Sequence, residues 1–195
     1  MSLARARARK LKKQAKTGDK LSKNGLARAD RAIGLSYVQQ YRLEEKYRKD
    51  VIADLWLIYQ YVMHERYGFG KERLIRMRNK TWNEFESIMQ GYISIPEIDK
   101  FFKEEIDFDC GLCKIDPKAD RQKKIEDKAI RDLSAAFLMA ILDEFNFKAK
   151  RLVKVCHYTF EINDKILSGE ITYDEIRAVL NKAMKRGQNE KSETA

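Results

Sequence analysis

Apolar residues recur along this chain at helical spacing. Ile52, Leu55, Ile58/Tyr59 and Val62 fall three and four positions apart, and so do Ile130, Leu133, Phe137 and Ala140/Ile141. That spacing marks the buried stripe of an α-helix. A second pair of stripes runs through Leu74, Met77, Thr81, Phe85 and Ile88, and through Leu152, Val155, Thr159, Ile162 and Ile166. A third, shorter pair carries Ile98 with Phe101/Phe102, and Ile176 with Val179/Leu180. Glycines and prolines are few, and Leu, Ile, Lys, Glu, Arg and Ala are plentiful, which favours helices over sheets. The pattern predicts an all-α fold with two sets of three helices.

The two sets are copies of one pattern. Shifted by 78 positions, residues 52–98 lie on 130–176 without a gap, and 12 of 47 positions are identical. Average composition gives roughly three by chance. We read a tandem duplication, with one module over 36–105, a linker over 106–116 and a second module over 117–184. A basic arm, 1–35, comes before them, disordered or helical only with a partner. A disordered tail, 185–195, comes after. Ser36 with Gln39 offers a start for the first module's long helix, and Asp116-Pro117 offers one for the second, with proline in the first turn.

The copies serve as controls for each other at the turns. "GYISIPEI" (91–98) and "GEITYDEI" (169–176) each place a glycine after a helix and a Ser or Thr three residues before a Glu. The expected structures are a glycine C-cap, Gly91 or Gly169, then a capping box, Ser94 with Glu97 or Thr172 with Glu175. The stretch "RYGFGKERL" (66–74) looks at first like part of a phosphate-binding loop. Its counterpart "EFNFKAKRL" (144–152) has Asn146 for Gly68, Lys148 for Gly70 and Ala149 for Lys71. Gly and Asn share tolerance of the left-handed backbone region. The stretch is therefore expected to be a turn between helices, with Phe69 and Phe147 packing back onto the preceding helix. A P-loop also needs GxxxxGK[ST] after a strand, which is absent here.

Charge separates the arm from the body. Residues 1–31 carry eleven Lys/Arg and two Asp, a charge of +9 out of the chain's +10. Wound as a helix, Arg5, Arg9, Lys12/Lys13, Lys16, Lys20 and Lys23 form one basic stripe, with Arg7 and Lys10 beside it. Such a segment has too few apolar partners to fold alone and is suited to phosphate backbones. A second basic surface opens the second helix of each copy, where Arg73 matches Arg151 and Arg76 matches Lys154. Two helices joined by a tight turn share the outline of a helix-turn-helix, but no base-reading set of side chains accompanies them.

Catalytic chemistry finds little support. Cys110-x-x-Cys113 has zinc or redox spacing, but the remaining soft ligands are Cys156, His157 and His64, and Cys156 and His157 are adjacent on a helix. The two histidines do not match between copies: His64 aligns with Leu142, and His157 with Asn79. No catalytic residues, metal or cofactor are expected. No apolar run reaches the length of a membrane span, no apolar core follows the basic start as a signal peptide requires, and three cysteines suit a reducing cytoplasm.

The pattern "GFGKERL" (68–74) followed by "GYISIPEI" (91–98) resembles small helical proteins encoded by bacteriophages and prophages of Gram-positive bacteria. The resemblance spans about 50–105 and again 128–183, leaves out the arm, and weakens in the second copy at the glycines. It implies a mobile-element origin and a host bacterial cytoplasm, and carries no site residues with it. The expected function is non-enzymatic binding of DNA or RNA by backbone phosphates. Two alternatives stand beside it: a protein-binding modulator or inhibitor of a host defence or transcription protein, and a virion or scaffold component. The short third helices need cover from the other module or from a second chain, which leaves room for a homo-oligomer.

Overall fold

A computed structural model describes residues 37–109, 111–112 and 115–192, with side chains through Lys185. Every element among the described residues is a helix. Helix α1 covers 37–67, α2 Lys71–Met89, α3 Ile95–Glu105, α4 Arg121–Phe145, α5 Ala149–Leu167 and α6 Tyr173–Ser192. The basic arm and the Cys110/Cys113 pair lie outside the described residues. No helix among them is long and apolar enough to cross a membrane.

The chain divides into two units, 1–46 and 47–195. The first contributes residues 37–46, helical and rich in exposed apolar side chains: Tyr37, Val38, Tyr41 and Leu43. The second holds both sets of three helices around one core.

That core is shared across the two sets. α2 packs along α4, α2 also touches α6, and α3 rests on α4. Tyr59 of α1 stacks on Phe137 of α4 with ring centroids 4.0 Å apart, and the Tyr59 hydroxyl shares a 2.7 Å hydrogen bond with the Ser134 hydroxyl. Tyr59 and Phe137 are 78 positions apart, so each ring meets its own counterpart. The third helices are covered in the same way, with Ile98, Phe102, Ile176 and Leu180 all buried. Their apolar faces are too short to form a core alone, and the opposite set supplies the cover.

The local devices take their expected form. Gly68 (φ +64°) and Asn146 (φ 53°) end α1 and α4 in the left-handed region. The Phe69 N–H donates to the Met63 carbonyl at 3.1 Å, and the Phe147 N–H to the Ile141 carbonyl at 3.2 Å. These closures reach one residue further back than a Schellman bond, which forms instead at the other two turns, where the Tyr92 N–H donates to the Ser87 carbonyl and the Glu170 N–H to the Lys165 carbonyl, each at 2.9 Å; both phenylalanines are buried. Gly91 and Gly169 repeat the left-handed step at φ +77° and +78°. After them, Ser94 and Glu97 form a capping box, and Thr172 and Glu175 form another.

Two boundaries differ from expectation. α4 does not start at Asp116-Pro117 but at Arg121, where Asp120 accepts from the Lys123 N–H at 2.7 Å. Asp116 instead closes a turn by accepting from the Lys118 N–H at 2.8 Å. Two Asp residues compete as N-cap, and the second leaves a turn to join the linker to the helix. α6 continues to Ser192, past the expected module boundary at 184.

Candidate functional site

The turns that end α1 and α4 bring the first turns of α2 and α5 to one place. Phe69 lies 6.2 Å from Phe147, edge to face. Tyr67 lies 4.9 Å from Phe147, and Phe69 lies 4.7 Å from Phe145. Tyr67/Phe145 and Phe69/Phe147 are pairs at the 78-residue offset, so each residue of one turn touches the reciprocal residue of the other. A self-complementary interface produces this pattern of contacts.

Three arginines stand over these rings. The Arg73 guanidinium lies 5.8 Å from the Phe69 centroid, Arg151 lies 5.4 Å from Phe147, and Arg76 lies 5.6 Å from Phe145. The ring faces attract and orient the planar cations. Together with Tyr67 and Glu144 these residues line an open cleft of about 480 Å³. The structure thus brings together Arg73, Arg76 and Arg151 of the predicted basic residues. Lys154, exposed on α5, is not part of the lining, and Arg5, Arg7, Arg9, Lys10, Lys12, Lys13, Lys16, Lys20 and Lys23 lie outside the described residues.

The arginines differ in their partners. Arg76 is forked onto Glu144 of α4, with its Nε donating at 2.8 Å and an Nη donating to the same oxygen. Lys80, one turn further on α2, pairs with Asp143 at 3.1 Å and with Glu84 at 2.7 Å, and these carboxylates hold its pKa above the ordinary lysine value. Asp143 and Glu144 occupy the last turn of α4, where the helix dipole disfavours anions. The basic face of α2 offsets that cost, so much of its positive charge is used inside the protein. Arg73 and Arg151 have no carboxylate partner among the described residues and remain exposed.

Glu144 is the site residue that pattern-reading of the chain overlooks. The signal for it lies in the alignment at the 78-residue offset, where Glu144 stands opposite Arg66, a reversal of charge. Arg66 itself bonds Glu161 at 3.0 Å and covers the Tyr158 ring at 4.6 Å. The reversal makes the two ends of the shared interface electrically unlike.

A second, apolar hollow of about 130 Å³ lies between α1, α4 and α5, lined by Leu55, Leu112, Phe137, Cys156 and Phe160 among others. In the first set Trp56 packs on Trp82 with centroids 5.8 Å apart. Their counterparts are Ser134 and Phe160, and the smaller serine leaves Phe160 70% exposed. Burial pushes the Cys156 thiol up to about 11, so it stays protonated at neutral pH. His64 serves the turn, its Nδ1 lying 2.9 Å from the Phe69 carbonyl, and His157 is exposed. No group of three or more His, Cys, Asp or Glu able to hold a metal occurs among the described residues.

Comparisons of the chain with protein-family models, with curated proteins and with solved structures find no match.

Proposed function

We propose that this chain is a non-enzymatic nucleic-acid-binding accessory protein of phage origin, built from a duplicated helical module. The duplication rests on twelve shared positions at one constant offset, supported by the paired turns and capping boxes. The phage origin rests on the sequence resemblance. The observation that carries the binding function is the charge of +9 in residues 1–31 against a body that is nearly neutral. A dense, one-signed arm binds polyphosphate by releasing counterions, without choosing sequence. Arg73 and Arg151, exposed and without carboxylate partners among the described residues, extend that potential onto the body.

The test is removal of residues 1–31. With ~6 phosphates neutralised, the logarithm of the binding constant falls against the logarithm of salt with a slope near −5. Deletion flattens that slope and weakens binding to DNA and RNA alike. A truncated protein with unchanged affinity and slope overturns the proposal.

A second function is favoured by a different observation. Val153, Phe160 and Leu167 are exposed at every seventh position of α5, and Phe160 also lines the apolar hollow. Unpartnered apolar surface of this kind suits a host-protein modulator. A stoichiometric protein partner that survives nuclease treatment of the host lysate, and is lost on Phe160→Glu, supports this alternative.

A further inference from the structure

We infer that the cleft between the two turns is a site for one phosphate monoester, the terminal phosphate of a nucleic-acid strand. The proposal rests on the nucleic-acid function for the source of the phosphate, but the site stands on its own geometry.

Charge selects the ligand. Three guanidiniums and one carboxylate line the cleft, which leaves two positive charges. A phosphate monoester carries ≈ −1.5 to −2 at neutral pH, whereas an internal diester carries only a single negative charge. Arg76 is already held by Glu144, so Arg73 and Arg151 are the cations with free donor capacity. A guanidinium offers a planar fork that matches phosphate oxygens. Here both forks are steadied from behind by buried phenyl rings, Phe69 and Phe147, which lowers the cost of ordering them on a ligand.

Both flanking helices also begin without a side-chain cap, since Gly70 of α2 and Lys148 of α5 provide no capping acceptor. The dipoles of their first turns favour an anion nearby. A volume of about 480 Å³ is that of a small-ligand pocket.

The experiment uses the full chain and two kinds of probe. Fluorescence anisotropy compares one short single strand carrying a 5′-phosphate with the same strand ending in a 5′-hydroxyl. Calorimetry compares adenosine 5′-monophosphate with adenosine. We expect the phosphorylated strand to bind about tenfold more tightly, as one or two charge-assisted hydrogen bonds allow. We also expect the monophosphate to bind and the nucleoside not to. Both differences vanish in the Arg73→Ala/Arg151→Ala protein, whose fold is checked by circular dichroism and melting. They shrink in Arg73→Lys/Arg151→Lys, which keeps the charge and loses the fork. Equal binding of the two strands, or a difference that survives removal of both arginines, overturns the inference and leaves the arm's function standing. Arginine-dependent binding of the monophosphate with no binding of either strand upholds the site and overturns the nucleic-acid function. Failure of every probe overturns both.

Discussion

Substituting serine at Gly68 and, separately, at Gly70 tests whether "GFG" serves the backbone or a ligand. A Cβ built at either glycine meets nothing within 4 Å, so steric clash contributes to neither variant. The two differ only in backbone. Gly68 sits at φ +64°, where an L-residue costs roughly 1–2 kcal/mol. Loss of glycine's freedom in the unfolded chain returns ≈ 0.4–1 kcal/mol of that. The expected net loss for Gly68→Ser is therefore about 1 kcal/mol. Gly70 is the extended N-cap of α2 (φ −77°, ψ −178°) and has no side-chain cap to lose. A serine there supplies the missing acceptor and gains a few tenths of a kcal/mol. Urea melts and thermal scans measure both. For a unit the size of 47–195, about 1 kcal/mol moves Tm by ≈ 2–4 °C. Two variants that shift Tm equally, or a Gly70→Ser that destabilises more than Gly68→Ser, refute the conformational explanation.

Further outcomes follow from the same geometry. Phe137→Ala removes a fully buried ring stacked on Tyr59 and is expected to cost about 3–5 kcal/mol, read by chemical denaturation. Glu144→Gln frees Arg76 and adds one positive charge to the cleft, so phosphate-monoester affinity rises several-fold in calorimetry; unchanged or weaker affinity counts against the assignment of the cleft. The Cys156 thiol, held at about 11 in the fold against an ordinary ~8.5, keeps its proton longer in the folded than in the unfolded state. Its contribution is complete below pH ~8.5 and is lost as pH rises through about 11, so stability falls over that window and Cys156→Ala shows a shallower fall.

Much of the helical architecture was legible because its determinants are local. A capping box closes over four residues, as Ser94 with Glu97 does, and a turn that ends a helix needs only one residue that tolerates positive φ. Comparing "YGFGK" with "FNFKA" isolates that residue, since Gly68 and Asn146 share little else. The start of α4 was less legible. Asp116-Pro117 and Asp120 are both acceptable N-caps, and propensity alone does not rank them. The free or paired state of each arginine was not legible at all. Arg73 and Arg76 look alike in the chain, yet among the described residues Arg76 is held by a carboxylate 68 positions away and Arg73 is not.

By itself, then, the sequence determined the helices, their caps and turns, the constant 78-residue offset and the concentration of charge in the first 31 residues. These depend on neighbours within a few positions, or on composition. Only the tertiary structure decided that Tyr59 meets Phe137 and that Phe69 meets Phe147. It also decided that the acidic end of α4 takes up part of the basic face of α2, leaving Arg73 and Arg151 over one cleft. The physical reason is that a helix's apolar stripe specifies that it must be covered but not by which partner. Coulomb pairing depends on the distance that packing finally sets.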